Sequence, residues 1–395
     1  MIWGNKKRVY ADYASTTLLN REVARHMRYA ERTYIANPSS IYKEGVDAHV
    51  FLEHERERVA RLLSVRSHEI YFTSGGTEAN ATIISGVINS RIKKGIVPRD
   101  IHVITSIIEH SSVLETIRTF EKQGIRVTYI IPHTDGIVRV EDVTKAVRPE
   151  TVLISIMYVN NEIGTIQPIS KIGGIVRKMR AETMSEYPVL HSDASQAPLW
   201  LDCSLEGLRI DALTLDAHKM EGPRGIGAMV VKSHVLWEPL MVGGGQEFGK
   251  RPTTESLSLI AGFTEALAHA VHDRERRVEK VRKVRDTLVS LTKNIPDIVI
   301  NGSLVYRLPN NLNVSLLTLS DAELAILIFD KHGVACSTKS SCLKGEEESY
   351  TVKSLGGDPR CARTTLRFSF GPHSTMSDIR RIATVLARLS EQKNK

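Results

Sequence analysis

The stretch Leu213-Thr-Leu-Asp-Ala-His-Lys-Met-Glu-Gly-Pro-Arg-Gly-Ile-Gly227 is an apolar run, then a polar turn that holds Lys219, then a glycine-rich segment. A second apolar run, Ala228-Met-Val-Val231, follows it. A lysine fixed in a tight turn at the end of a strand, and partly desolvated there, can form a Schiff base with a carbonyl cofactor. A surface lysine in a glycine-containing hairpin would show the same pattern, because most lysines are solvated. The other strand ends of the chain decide between these two interpretations.

Composition limits the possible classes of protein. The 395 residues are too many for one small core and suit two packed domains. The net charge of +8 comes from basic residues scattered among acidic ones, so we expect no direct binding of nucleic acid. Four cysteines without a CxxC pair, and a start without a secretory apolar region, predict reduced thiols and a cytoplasmic location. No apolar run reaches transmembrane length, so no membrane association is expected.

Short apolar runs alternate with helical patterns over the first two thirds of the chain. This alternation predicts an α/β fold with a mainly parallel sheet covered by helices on both faces. A loop at Gly243–Gly249 and a long helical pattern from about Leu257 to Lys293 lead to a second, α+β region. Ligands of such sheets bind at the carboxyl ends of the strands, so those residues are the candidates for a site.

Two of these strand ends offer groups for a phosphate and a planar ring. In Thr73-Ser-Gly-Gly-Thr-Glu-Ala-Asn80, backbone N–H groups near Gly76 and the Thr77 hydroxyl suit a phosphate at a helix N-terminus. A capped helix without a ligand is the alternative. His110 ends another strand, where it could stack on a ring or move protons, although it could equally be structural.

Two further strand ends complete the set. The loop Asn160-Asn-Glu-Ile-Gly164 can hydrogen-bond ring substituents, or it is a plain turn. Asp193 ends an apolar strand, where a carboxylate is costly unless it meets a cation such as a protonated pyridine nitrogen. Each signal is weak alone, but together with Lys219 they argue for pyridoxal 5′-phosphate (PLP).

The second region adds substrate chemistry. Cys342 lies between Lys339 and Lys344, and positive neighbours favour the thiolate, although a passive loop cysteine is the alternative. Arg367 lies within an apolar strand pattern and needs an anionic partner, either a substrate carboxylate or a structural salt bridge.

The chain resembles the NifS/IscS-type cysteine desulfurases of the class V aminotransferase, fold-type I PLP family. The motifs that carry this resemblance extend over nearly the whole chain: Asn37-Pro-Ser-Ser40, Thr73–Asn80, Glu109-His110, Val159–Gly164, Asp193-Ala-Ser-Gln196, His218-Lys219, Gly222–Gly227, Gly243-Gly-Gly245 and the Cys342 loop. The resemblance implies a large PLP-binding domain over residues 16–258, with a mostly parallel seven-stranded sheet between helices. It also implies a smaller α+β domain, formed by residues 1–15 and 259–395, that carries the nucleophilic cysteine.

The resemblance also implies roles for individual residues. Lys219, Cys342 and His110 are the expected catalytic residues, and no metal ligands are implied. The expected PLP-binding residues are Gly76, Thr77, His110, Asn161, Asp193, Gln196, His218, Lys219 and Thr254. The expected substrate-binding residues are Asn37, Asn161 and Arg367.

The implied reaction releases sulfur from L-cysteine as a persulfide on Cys342 and leaves L-alanine. The implied partners are a second copy of the chain, whose active site Thr254 would reach, and a sulfur-acceptor protein such as an iron–sulfur scaffold or a tRNA-thiolation protein. A selenocysteine lyase, another class V enzyme and a catalytically weak scaffold protein are the alternatives. One departure stands out: Asp216 replaces the serine that in this family usually donates to the phosphate, so we expect it to point away or to be compensated by a basic residue.

Overall fold

The structure is a computed structural model that describes residues 8–339 and 348–391. Its strands are β1 Val9–Tyr10, β2 Ile70–Thr73, β3 His102–Ser106, β4 Arg126–Ile130, β5 Thr151–Ser155, β6 Val189–Asp193, β7 Ala212–Asp216, β8 Gly227–Val231, β9 Ile298–Ile300, β10 Asn311–Leu316, β11 Val334–Ala335 and β12 Thr365–Ser369. Its α-helices are α1 Arg21–Thr33, α2 Lys43–Leu63, α3 Gly76–Lys93, α4 Ser111–Glu121, α5 Val140–Ala146, α6 Ile169–Thr183, α7 Leu205–Leu208, α8 Gln246–Gly249, α9 Leu257–His272, α10 Arg274–Thr292, α11 Ala322–Lys331, α12 Tyr350–Ser354, α13 Arg360–Arg363 and α14 Met376–Glu391.

The main sheet has seven strands in the order β2-β8-β7-β6-β5-β3-β4. The pairs from β7 to β4 are parallel, and β8 is antiparallel to both of its neighbours, β7 and β2. This confirms the prediction of a mostly parallel seven-stranded sheet. Because β8 is antiparallel to both β2 and β7, β2 runs in the same direction as β7. The carboxyl ends of β2, β3, β5, β6 and β7 therefore all lie at one edge of the sheet.

Apolar residues fill both faces of this sheet, as parallel strands require. Every residue of β5 is buried, and its side chains contribute to two different cores. Leu153 packs in the cluster that includes Ile84 of α3, whereas Ile154 packs in the larger cluster that includes Phe263 of α9. The sheet is therefore rigid behind the edge at which its strands end.

The second region is built on the antiparallel sheet β12-β10-β9, and β1 pairs in parallel with β11. The Ser369 N–H at the end of β12 donates to the Ala11 carbonyl at 2.8 Å, so the N-terminal segment is joined to this region. The domain boundaries at residues 15/16 and 258/259 stay a prediction.

The long helical pattern predicted over Leu257 to Lys293 is two helices, α9 and α10, separated at Asp273. Glycine and proline are absent from the junction, so the sequence carries no breaker signal there. An aspartate suits the positive N-terminal end of α10, and its Oδ1 accepts a hydrogen bond from Arg276 at 2.8 Å. Within the described ranges, no helix is both long and apolar enough to cross a membrane.

Candidate active site

A cavity lies at the edge of the main sheet where the parallel strands end. Most of the residues that the sequence assigned to PLP and substrate meet here. The lining consists of Ala14, Ser15, Gly76, Thr77, Asn80, His110, Ser112, Met157, Val159, Asn161, Asp193, Ser195, Gln196, Asp216, His218, Lys219 and Arg367. The strand-end argument thus located the cavity, although the roles of the individual residues remain predictions.

Lys219 follows β7 in a short 3-10 turn, Ala217–Lys219. Its Nζ donates hydrogen bonds to the backbone carbonyls of Ala14 at 2.8 Å and Ser15 at 2.6 Å. The turn must be tight, because a Cβ at Gly222 would stand 2.8 Å from the Ala217 carbonyl oxygen. The glycine therefore keeps the lysine at one fixed point on the cavity wall, half-buried, as a Schiff-base lysine requires.

Asp193, the last residue of β6, is buried and oriented by two neighbours. Its Oδ2 accepts a hydrogen bond from the Asn80 amide at 2.7 Å. Its Oδ1 accepts from the Ser195 N–H at 2.9 Å and the Ser195 hydroxyl at 2.6 Å. These donors fix the orientation of the carboxylate on the cavity wall, where it can pair with a pyridine nitrogen. Asn80 and Ser195 were missed by the sequence reasoning, although both lie inside motifs that it used.

His110 is the N-cap residue of α4, and its ring lines the cavity. The ring Nδ1 accepts from the Ser112 N–H at 3.2 Å and lies 2.8 Å from the Ser112 hydroxyl. The Asn80 amide also donates to that hydroxyl at 2.9 Å. One asparagine therefore supports both the carboxylate of Asp193 and, through Ser112, the imidazole of His110.

Glu109 lies fully buried behind His110. Burial raises its pKa to about 8, and the nearby Asp193 charge acts in the same direction. Hydrogen bonds from the Ser106 hydroxyl and from the Met157 N–H, the latter at 3.0 Å, oppose this increase. The carboxyl group is therefore mainly protonated at neutral pH, which avoids a second negative charge beside Asp193.

The predicted phosphate cradle is the turn between β2 and α3. Gly75 has φ of 152°, a conformation that favours glycine, and Gly76 begins the helix. The Asp216 carboxylate occupies this turn: its Oδ2 accepts from the Gly76 N–H at 2.8 Å. Burial acts to raise the pKa of Asp216, but the interaction with His218 and the Gly76 hydrogen bond outweigh it and lower that pKa. Asp216 does not point away, because Gly76 offers it a backbone donor. The other expected alternative, compensation by a basic residue, is the one found: His218 Nε2 lies 3.4 Å from Asp216 Oδ1.

Arg367, in the middle of β12, is buried and reaches the cavity from the second region. Its guanidinium donates to the Asn161 carbonyl at 2.9 Å, the Ser15 hydroxyl at 2.7 Å and Asp12 Oδ1 at 2.8 Å. The structural salt bridge considered as an alternative is therefore present, formed with Asp12. Arg367 also lines the cavity with Lys219, so the salt bridge does not remove it from the site.

The remaining assigned residues that the structure describes divide into two groups. Gln196 and His218 line the cavity, where the Gln196 amide donates to the Ala14 carbonyl at 2.9 Å and His218 Nδ1 lies 3.1 Å from the Thr16 hydroxyl. Asn37 and Thr254 are exposed and are absent from the lining formed by the described residues. Cys342 lies outside the described residues.

The cavity fits most of PLP. Asp193 suits the ring nitrogen, His110 lies where a ring can stack, and Lys219 supplies the amine for the aldehyde. Gly76 and Thr77 form a cradle in which space is short, since a Cβ on Gly76 would stand 3.1 Å from the Ser195 hydroxyl. Asp216 is the residue that departs from this pattern.

Comparison with known proteins agrees with this site. Residues 9–382 match the family described as aminotransferase class-V. The chain is 36% identical over 390 residues to a cysteine desulfurase IscS of Dictyoglomus turgidum, covering 98% of this chain and 95% of that protein. Among solved structures it is similar to a NifS-like protein, with a TM-score of 0.88, 32% identity, and coverage of 97% of this chain and 99% of that one. It is also similar to SspA in complex with cysteine, with a TM-score of 0.78, 30% identity, and coverage of 93% and 100%. The chain therefore belongs to the class V aminotransferase family and, within it, to the PLP-dependent cysteine desulfurases of the NifS/IscS type.

Proposed function

We propose that this protein releases sulfur from L-cysteine, leaving L-alanine, with Cys342 as the acceptor that carries the sulfur as a persulfide. The observation that carries the proposal is the meeting of Lys219, Asp193, His110 and Arg367 on one cavity. PLP, when bound, supplies an electron-withdrawing ring that stabilises negative charge at the substrate α-carbon. The protein's own residues bind the substrate, orient it and move its protons.

Each of these residues has a distinct part in the proposed reaction. Arg367 binds the substrate carboxylate with a planar guanidinium fixed by Asn161 and Ser15. Lys219 lies on the same cavity wall and is the base that removes the α-proton. Asp193, held in place by hydrogen bonds from Asn80 and Ser195, would pair with the ring nitrogen.

The sulfur step requires a thiolate. The Cys342 thiolate attacks the substrate sulfur, an S–S bond forms, and the C–S bond breaks. The electron pair of the C–S bond stays on the β-carbon, which takes a proton and becomes the methyl group of alanine. Among the described cysteines, burial raises the pKa of Cys203 to about 12 and also raises the pKa of Cys336 and Cys361. These three thiols are poor nucleophiles, which supports the assignment of the reaction to Cys342.

Persulfide mapping tests this proposal. The enzyme with bound PLP is treated with L-cysteine, alkylated, digested and analysed by mass spectrometry. We expect the additional sulfur on Cys342, no persulfide on Cys203, and formation of alanine. The Cys342→Ala variant should retain PLP but lose sulfur transfer, with Cys203→Ser as the matched control. A Cys342→Ala variant that transfers sulfur at the normal rate would refute the assignment. Selenocysteine offered beside cysteine discriminates the lyase alternative.

We also propose a homodimer in which Thr254 reaches the partner's active site. Thr254 is exposed. Large apolar side chains are exposed as well, including Val242, which precedes Thr254 in the sequence and is 96% exposed, and Ile41, which lies between α1 and α2 and is 97% exposed. A second copy of the chain would cover these residues. Ile41→Glu should convert a dimer to a monomer in light scattering. Met184→Glu, at a site 95% exposed in a different loop, is the control that should stay dimeric.

The proposed location is the cytoplasm, and the proposed sulfur recipient is an acceptor protein such as an iron–sulfur scaffold. Support for the acceptor comes from the proposed persulfide, which retains sulfur in a form that another thiol can take over. Transfer from enzyme labelled with radioactive sulfur to a purified scaffold protein would test it. Retention of all the label on Cys342 in the presence of the scaffold would count against that acceptor.

A further inference from the structure

Asp216 lies at the turn between β2 and α3, which is the predicted phosphate cradle. It is the last residue of β7, and its Oδ2 accepts the hydrogen bond of the Gly76 N–H at 2.8 Å. A Cβ on Gly75 or Gly76 would stand 3.3 or 3.2 Å from the same oxygen, so the carboxylate lies against the floor of the cradle. Asp216 also forms part of the wall between the Lys219 cavity and a second cavity that Arg224 lines.

The groups around Asp216 carry both signs of charge. From its own strand end, His218 Nε2 lies 3.4 Å from Asp216 Oδ1, and Lys219 acts on it electrostatically. From α3, Glu78 adds a negative charge that is already paired with Arg251, at 2.8 Å. The guanidinium of Arg224 is exposed on the far side of the second cavity.

A phosphate ester brought into this cradle carries close to two negative charges at neutral pH, because its second pKa is about 6. Two anions that share one backbone donor repel each other, and like charges at close range favour the protonated form of one partner. A serine at this position would instead donate its hydroxyl proton to the phosphate and leave it doubly charged. A carboxylate has no proton to donate unless one is taken from solvent.

We propose that Asp216 makes the cofactor site selective for a monoprotonated phosphate group, with one proton held between the carboxylate and a phosphate oxygen. At the phosphate end of the site, binding of PLP then takes up one proton from solvent, and the O–H bond to that proton is the only covalent bond formed at that end. The affinity for PLP falls as the pH rises above about 6, by up to about tenfold per pH unit relative to a site with serine. The inference rests on the cofactor site of the proposed function and specifies its phosphate end.

Calorimetry of the full chain, freed of cofactor, tests this directly. PLP is titrated at pH 7.5 in buffers of different ionisation enthalpy, which gives the number of protons taken up per PLP bound. We expect wild-type protein to take up about one proton more than Asp216→Ser. Pyridoxal, which lacks the phosphate, serves as the control ligand and should give equal proton counts in the two proteins. Protons that Lys219 and His110 exchange when the ring binds are counted in the pyridoxal titration, and subtraction of that count from the PLP count in each protein removes them.

Asp216→Asn provides a second variant that keeps the size of the side chain and does not depend on the folding of the serine variant. It should match Asp216→Ser in proton count and in the pH dependence of the dissociation constant. Equal proton counts in wild type and both variants, with the visible absorbance band of bound PLP present, would overturn the inference alone. Absence of that band in the wild-type protein would overturn the inference together with the proposed function.

Discussion

Asn80 is predicted to control the cofactor affinity without belonging to the residues assigned to PLP. Its amide donates to Asp193 Oδ2 at 2.7 Å and to the Ser112 hydroxyl at 2.9 Å, and it is 1% exposed. Ser112 in turn lies against the His110 ring, 2.8 Å from Nδ1. Replacement of Asn80 by alanine removes both of these hydrogen bonds. Of the hydrogen bonds to the Asp193 carboxylate described above, those from Ser195 remain.

The expected magnitude follows from the charge of the acceptor. A hydrogen bond to a charged group contributes about 1.5–3 kcal/mol, and about 1.4 kcal/mol corresponds to a tenfold change in a binding constant. In the complex with PLP the Asp193 carboxylate would face the ring nitrogen, so loss of a donor that holds it in place should weaken that complex. We therefore expect Asn80→Ala to weaken PLP binding by about 10- to 150-fold.

Titration of the cofactor-free variant with PLP, followed by absorbance, measures this loss. Ser90→Ala is the matched control, because Ser90 is also buried on α3 but its hydroxyl donates only to the Val87 carbonyl, at 2.7 Å. Urea unfolding of both cofactor-free proteins separates a loss of affinity from a loss of stability. PLP affinity within about twofold of wild type in Asn80→Ala would refute the role assigned to this amide.

Three other predictions follow from buried charges. Arg56 and Glu247 form a two-point ion pair at 2.9 and 2.8 Å, and both side chains are 2% exposed. Glu247→Gln should lower the free energy of unfolding, measured in urea, by about 3–5 kcal/mol, because it leaves the Arg56 charge buried without its partner. The double variant Arg56→Met with Glu247→Leu should restore much of that free energy. The pKa of about 8 for Glu109 exceeds that of an unfolded glutamate, so the native protein holds an extra proton between about pH 4 and 8 and loses stability as the pH rises through that range. Glu109→Gln should abolish this loss. The free energy of unfolding of the variant, minus that of the wild type, should therefore rise with pH by up to about 1.4 kcal/mol per pH unit. A difference in free energy that stayed constant from about pH 5 to pH 8 would contradict the argument. Arg367→Lys should raise KM for L-cysteine about tenfold, because lysine lacks the planar guanidinium that binds a carboxylate at two points. Asp12→Asn should raise KM less than about threefold. Steady-state rates of alanine formation measure both KM values, and equal effects of the two variants would count against carboxylate binding by Arg367.

The sheet and the location of the cavity could be predicted because both depend on local patterns and one general rule. Apolar runs of four to eight residues, separated by helical patterns, predicted the parallel strands, and parallel strands bring their carboxyl ends to a common edge. Asp193 and Lys219 therefore came together in the prediction although helices and loops separate them in the sequence. The rule concerns backbone direction, so it held without any knowledge of side-chain packing.

Contacts between side chains far apart in the sequence could not be predicted in this way. Asn80 and Asp193 are 113 residues apart, and Arg367 and Asp12 are 355 apart, with no periodicity to connect either pair. The Asp216 carboxylate accepts hydrogen bonds from two backbone donors, the Gly76 N–H at 2.8 Å and the His218 N–H at 3.4 Å, and the first of these is available only because of the turn at Gly75. The break at Asp273 was missed for a different reason, since the helical pattern continues through it without glycine or proline.

The segment from residue 11 to residue 17 ties the two regions together at the site. The Ala14 N–H donates to the Ser369 hydroxyl at 2.8 Å, which fixes the segment to the end of β12. The Ala14 carbonyl accepts hydrogen bonds from both Gln196 and Lys219, on the other side of the cavity. The same short segment contacts the amine of Lys219 and, through the Ser15 hydroxyl, the guanidinium of Arg367. A displacement of the segment would therefore move the hydrogen-bond partners of both side chains at once. The distance between the residue assigned to the cofactor aldehyde and the residue assigned to the substrate carboxylate is therefore set by this segment as well as by the sheet. This explains why a stretch with no chemical role of its own in the sequence analysis forms a wall of the cavity.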